Sequence, residues 1–304
     1  MLSKADTHVH TFYSGTTNFK ALSFPESVTS PEAQVEEAIR NGKSVICLTD
    51  HDSTMGGVRG RKYALEEKRP IDVVVGEEIM TRDGEVIGLW LNDQIKPQMS
   101  IEETIDEIRS QGGITIAPHP FSFYVHCLKD QIFNLDLDAI ETINGGHWDP
   151  WTNTYAQGVY RRNVKRWAPI GASDAHSVYT AGYTWTDFPG EGEDDLRKAI
   201  LGKTTVACGQ PSPVMEQVKW SIQVVMGGQK LILDSMLKRL DPESDNPLVA
   251  KTLKLNMAKK LVALMGGFAY CCPPTPFIAA WLSTNWLKRS AANLKAQLRK
   301  TFNY

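Results

Sequence analysis

Five short runs in this chain each carry or lead into a histidine or acidic cluster, and that repetition limits the fold more than any other feature. The segment Lys4 to His10 carries Asp6-Thr7-His8-Val9-His10; SVICLT leads into Asp50-His51-Asp52 and IDVVV into Gly76-Glu77-Glu78. ITIA leads into Pro118-His119-Pro120, and PIGA into Ser173-Asp174-Ala175-His176. Short apolar runs of this kind, most of them β-branched, read as buried strands. Strand residues two apart share a face, so His8 and His10 can address one ion. Clusters so far apart in sequence converge if their strands run side by side with C-terminal ends on a common rim, as in a parallel barrel.

The intervening segments read as helices. Ser30 and Pro31 open one that carries Val35, Ala38 and Ile39 inward and stops at Gly42. Ser100 with Glu103 is a capping box, and Gly112-Gly113 ends the helix it starts. Further helices are expected over 58–68, 153–166 and 193–201, further strands over 139–143 and 168–172, and a hairpin turn at Asp83-Gly84 between Ile79 and Leu91. Six or seven βα-like units predict an α/β chain, a distorted (β/α)7 barrel over residues 1–210. Pro211 and Pro213 mark a boundary. Beyond it the alternation stops, helical segments follow over 214–240 and 248–265, and residues 211–304 read as a helical appendage.

Of seven histidines, five stand in the clusters. A lone strand histidine is usually a packed or surface residue; five with the same strand-end placement are hard to explain by coincidence. Imidazole and carboxylate donors without thiolates suit zinc, manganese or iron. A carboxylate such as Glu78 can bridge two such ions, which can polarise a phosphoryl oxygen and lower the pKa of a water. The expected ligands are His8, His10, His51, Glu78, His119, Asp174 and His176. Asp174, His176 and Asp50 are expected to act in the chemistry, Asp6 to orient His8 or His10, and Asp50 or Asp52 to orient its neighbours. The net charge of −2 gives the whole molecule no footprint for nucleic acid. Five cysteines without a CxxC pair, and no apolar run at the N-terminus, predict reduced thiols in a cytoplasmic protein.

DTHVH, LTDHD, GEE, APHPF, ETIN and GASDAH, in this order, resemble the motifs of the PHP (polymerase and histidinol phosphatase) superfamily, and among its members the small stand-alone phosphoesterases. The resemblance spans residues 4–208. It implies a distorted seven-stranded barrel, two or three divalent ions, and hydrolysis of phosphate esters such as nucleotides or histidinol phosphate. It implies His8, His10, Glu78 and Asp174 for a first ion, Glu78 and His119 for a second, and His51 and His176 for a third. Two positions depart from the pattern. Gly15 stands where many members carry an Asp or His that helps bind the third ion, and Asn144 stands near a position that is His in others. Asn144 is expected to support the ligands, with His147 a candidate substitute.

The expected partner is a small phosphorylated substrate. One rival reading is an exonuclease working 5'–3' or 3'–5' on RNA or DNA ends; another is a partly degenerate scaffold or regulatory protein acting through its tail. Arg59, Arg61, Arg161 and Arg162 are candidate phosphate contacts or solvated helix charges, and His126 a candidate lid residue. In the tail, Leu261 to Leu287 contains no charge and is flanked by Lys259-Lys260 and Lys288-Arg289. Pro273-Pro274 interrupts it, so an unbroken membrane span is not expected. Two readings stay open: helices that pack on the barrel or join copies in a homo-oligomer, and a peripheral membrane contact.

Overall fold

The computed structural model describes residues 1–19 and 22–302. Seven strands follow one another round a barrel: β1 (Leu2–Val9), β4 (Val45–Leu48), β5 (Asp72–Met80), β6 (Glu85–Leu89), β7 (Ile114–Ala117), β8 (Ala139–Asn144) and β9 (Ala168–Ala172). All run the same way except β6, which folds back on β5 through the hairpin at Asp83-Gly84. Between β1 and β4, β2 (Thr16–Phe19) and β3 (Leu22–Pro25) form a separate hairpin. Like the β2–β3 hairpin, β10 (Thr184–Pro189) and β11 (Val206–Gly209) are absent from the sequence reading; β10 pairs antiparallel with β1, and β11 antiparallel with β10.

Side chains alternate between the barrel interior and the layers beneath the helices. Val45, Cys47, Val74, Ile116 and Ile170 fill the barrel interior. Ile46, Leu48 and Val73 face α1 (Pro31–Arg40) and α2 (Met55–Glu66), with Val35 and Ala64 on the helical side. Each fully buried side chain of this size contributes about 1.5–3 kcal/mol. Local signals set the helix ends: the Ser30 hydroxyl accepts from Ala33 N, and Ser100 and Glu103 cap α3 (Ile101–Ser110) reciprocally. α4 (Thr152–Arg162) is shorter than expected, ending at Asn163; α5 is Glu193–Leu201.

The barrel closes between β9 and β1, and largely through side chains. Asp6 Oδ1 accepts from Ser173 N at 3.0 Å, and Thr186 Oγ1 bridges Gly171 N and O at 3.0 and 2.8 Å. Near the rim, Asp174 N donates to His8 O and His10 N to Ala175 O. Asp6 is therefore a seam residue. The expectation that it orients His8 or His10 is corrected: its carboxylate is spent on closing the barrel.

The C-terminal part forms α6 (Val214–Met236), α7 (Pro247–Leu253), α8 (Met257–Cys271) and α9 (Thr275–Phe302). The single helix expected over 248–265 is two, because Asn256 caps α8 by accepting from Lys259 N. These helices lie against the rim. Trp220 of α6 donates from Nε1 to Glu26 O, Leu248 of α7 packs on Phe12 and Tyr13, and Trp286 of α9 lies beside Phe123 and Tyr124. Arg59, considered for phosphate, is held by Glu32 and Asp245.

Candidate metal centre

All seven expected ligands meet on the rim. His8 and His10 leave the end of β1 on one face, His51 follows β4, Glu78 lies on β5, His119 follows β7, and Asp174 and His176 follow β9. Each strand ends there because its apolar run ends there, and parallel pairing brings the ends level.

Around His8 and His10 the donor atoms outline a small polyhedron. His8 Nε2 is 2.9 Å from His10 Nε2, 3.1 Å from Glu78 Oε2 and 3.5 Å from Asp174 Oδ1. His10 Nε2 is 3.3 Å from both carboxylates. Four ligands about 2.1 Å from one ion would stand roughly 3.4 Å apart, so these spacings fit an ion at their centre.

The other ring nitrogens explain why the pair needs a cation. His8 Nδ1 lies 2.8 Å from Glu141 Oε1 and donates to it. His10 Nδ1 lies 2.9 Å from Ser14 Oγ, whose own hydroxyl donates to Asp50 Oδ1 at 2.7 Å. Both Nδ1 atoms thus carry the proton, and both Nε2 atoms turn lone pairs toward each other in a buried space. Two lone pairs at 2.9 Å repel unless a proton or metal ion lies between them.

A second group surrounds Glu78 Oε1, 3.2 Å from His119 Nε2, which in turn is 3.7 Å from Glu85 Oε2. His119 Nδ1 is buried without a partner. A third group faces the opening: His51 Nε2 lies 2.9 Å and His176 Nε2 3.5 Å from Glu26 Oε2. His51 Nδ1 sits 3.1 Å from Glu78 Oε2 and His176 Nδ1 3.1 Å from Asp174 O. His8 and His10 are fully buried; the side chains of His51 and His176 are 22% and 20% exposed, which places the mouth on their side.

Charge follows the same map. Burial alone would lower His8, but Glu78, Asp174 and Glu141 outweigh it and hold the imidazole well above its usual value. His119, opposed by burial in the same way, is raised to about 9 by Glu78. Glu85 is raised to about 7 by burial and by the charge of Glu78. The pocket is an accumulation of negative charge that calls for cations.

The remaining expected residues are placed by their hydrogen bonds. Asp50 is fully buried and accepts from Thr11 N, Thr11 Oγ1 and Ser14 Oγ at 2.6–2.8 Å. It acts on His10 through Ser14, not on a substrate. Asp52 accepts from Met80 N. Asn144 donates to Glu141 Oε2 and Asp174 Oδ2 and receives His147 Nδ1. His147 is no substitute ligand: its nitrogens meet Asn144 Oδ1 and Ser122 Oγ, and burial, then the nearby His119, lowers it to about 3. Arg61 pairs with Glu193, Arg161 and Arg162 are exposed on α4, and exposed His126 touches Met80 Sδ.

Glu26, Glu85, Glu141 and Ser14 were not singled out in the sequence. Glu85 escapes a search of C-terminal strand ends because β6 is antiparallel and brings its first residue to the rim. Glu141 sits inside the ETIN motif; Ser14, four residues past His10, carries no mark of its own in the sequence.

Residues 153–205 match the family model described as PHP-associated. The chain is 47% identical over 153 residues to the uncharacterized protein MJ1587 of Methanocaldococcus jannaschii, covering 50% of this chain and 88% of that one. It is similar in fold to a two-domain protein of Bacteroides vulgatus containing a predicted PHP-like metal-dependent phosphoesterase. There the TM-score is 0.55 at 21% identity, over 69% of this chain and 65% of that one. It is also similar to PsfC from Pseudomonas syringae, with TM-score 0.51 at 19% identity, over 72% and 98%. In this chain the rim of the seven-stranded barrel carries a histidine and carboxylate cluster suited to metal ions. The chain thus shares its fold with PHP-like structures, and its residues 153–205 match the PHP-associated family.

Proposed function

We propose that this chain hydrolyses a phosphate ester of a small molecule, using two or three divalent ions. The observation that carries the reading is the facing pair of Nε2 atoms on His8 and His10, 2.9 Å apart, with both Nδ1 atoms engaged by Glu141 and by Ser14–Asp50. His8, His10, Glu78 and Asp174 would hold one ion, and His119 with Glu78 and Glu85 a second. Nitrogen and oxygen donors suit zinc, manganese or iron. Such ions lower the pKa of water and offset charge on phosphoryl oxygens.

The chain's own residues supply the rest. Glu78 presents Oε2 to the deep histidines and Oε1 to His119, holding both halves in register. Asp174 and His176 line the open edge, where a proton is taken up or released; the Asp174 carbonyl orients the His176 ring through Nδ1. Trp220, with its ring 5.8 Å from that of His176, walls the mouth and excludes water. A small substrate is favoured over nucleic acid ends by the near-neutral charge and by the engagement of Arg59 and Arg61 in ion pairs. The ordered partners of each imidazole speak for an enzyme over a decayed scaffold.

The test is metal content with turnover on a panel of phosphomonoesters, nucleotides and oligonucleotides. His8→Ala and Asp174→Asn should each lose bound metal and at least about 100-fold in rate. Full turnover in both variants would sink the reading.

A further inference from the structure

We propose that Glu26 supplies the third-ion ligand for which Gly15 has no side chain. Gly15 lies at φ +75°, a conformation that favours glycine, and it ends the short turn after Thr11. The chain then makes the β2–β3 hairpin and returns, so that Glu26 N donates to Gly15 O at 3.1 Å. Glu26 therefore stands directly beside the vacant position, reached from the far arm of the hairpin.

Its carboxylate points between the two remaining histidines. Oε2 lies 2.9 Å from His51 Nε2 and 3.5 Å from His176 Nε2, spacings within the range seen around His8 and His10. Glu78 and the Asp174 carbonyl engage Nδ1 of His51 and His176, so each ring turns its Nε2 toward Glu26. Two imidazoles and one carboxylate with an open side form a three-donor site of the catalytic kind. The Glu26 backbone is fixed from above, because Trp220 of α6 donates to its carbonyl. The appendage thus holds a ligand in place.

The inference rests on the proposed metal centre, and ion counting separates the two. Purified full-length chain is equilibrated with Mn²⁺ or Zn²⁺, dialysed, and assayed for metal by mass spectrometry. Wild type should hold three ions per chain. Glu26→Gln, which keeps shape and backbone bonds, should hold two, and Glu26→His should restore the third. The Gln variant should also bind its most weakly held ion at least about tenfold less tightly. Two ions in wild type and in Glu26→Gln alike, or three in both, overturns the role of Glu26. No bound metal in wild type overturns the metal centre itself.

A separate observation carries a second inference. In α8 and α9, Val262, Met265 and Phe268 on one arm and Phe277, Trp281 and Leu282 on the other are all about half or more exposed. The arms meet at an angle of 79°, and no single helix among the described residues is long and apolar enough to cross a membrane. With 15 residues α8 spans about 22 Å, short of a hydrocarbon core of about 30 Å. Exposed Lys259, Lys288 and Arg289 bound the charge-free stretch at both ends. The geometry points to a corner seated in the surface of an anionic bilayer, apolar faces down and cations at the headgroups.

Co-sedimentation with phosphatidylglycerol–phosphatidylcholine vesicles should capture wild type at least about tenfold better than pure phosphatidylcholine does. Phe268→Asp with Trp281→Asp should abolish capture with metal content unchanged. Absence of capture, or a wild-type dimer in sedimentation that the same substitutions dissolve, overturns it.

Discussion

Gly56→Ala offers a severe test of the support behind His10. In an ordinary helix this change stabilises by about 0.5–1 kcal/mol. Here a Cβ on Gly56 would lie 1.8 Å from Asp50 Oδ2 and 2.9 Å from Thr11 Oγ1. The first distance falls about 1.6 Å short of ordinary contact, so the carboxylate or the start of α2 must move by that amount. Such a shift breaks the bonds from Thr11 and Ser14 to Asp50, all 2.8 Å or shorter, and takes from Ser14 the acceptor that fixes His10. Overpacking costs about 1–3 kcal/mol, and losing a hydrogen bond to a buried charge about 1.5–3. The variant should therefore be about 2–3 kcal/mol less stable in urea and bind its ions 10–100-fold more weakly. Gly158→Ala on α4 is the control: only Arg162 Nη1, at 3.8 Å, comes near its Cβ, so stability should hold or rise slightly. A Gly56→Ala protein with unchanged urea midpoint and metal affinity would refute the chain of support from α2 to His10.

Other outcomes follow from the same geometry. Asp6→Ala should cost about 1–3 kcal/mol by orphaning Ser173 N, and Asp6→Asn less, with metal content unchanged in both; metal loss in Asp6→Asn would mean that Asp6 orients an imidazole after all. Dialysis against EDTA should lower the melting temperature by several degrees, since an ion at 100 times its Kd stabilises by about 2.7 kcal/mol, and an unmoved melting curve would count against resident ions. Burial raises the Cys127 thiol to about 11, so at pH 8 only about one in a thousand is thiolate and only unfolding should free it to react. The unfolded thiol ionises near 8.5, so this group's contribution to stability is present below that pH and is lost as pH rises toward 11. Exposed Cys272 should react first with a thiol reagent; fast labelling of native Cys127, read by peptide mapping, would contradict the assigned burial.

Much of the barrel was legible because its signal repeats. Val45–Leu48, Ile114–Ala117 and Ala168–Ala172 are largely apolar and buried on both faces, and each is followed by polar ligands where burial gives way to the rim. β10 was missed because two of the three residues on its buried face are threonines: Thr184 and Thr186, beside Phe188, are fully buried through bonds to Gln210 O and Gly171 O, which no hydropathy alternation reports. Glu26 and Glu85 carried no local mark either. An acidic residue in a hairpin or at the start of a strand normally faces water, and only the tertiary path turns these two inward. The appendage was legible as helix, whereas its place over the site depends on Trp220, Asp245 and Trp286, each unremarkable in its own segment.

The seam between β1 and β9 has a consequence for how the molecule holds together. Every other junction of the barrel is a ladder of main-chain bonds, whereas this one leans on Asp6, Thr186 and a few rim contacts. His8 and His10 stand on one side of it and Asp174 on the other. An ion shared by these three residues is a cross-link between the first and last strands of the barrel, closing the largest loop in the fold much as a disulfide would. Stripped of metal, the protein should show its earliest amide exchange at Gly171 and Ser173, the cylinder parting along one line while its other strand pairs stay joined.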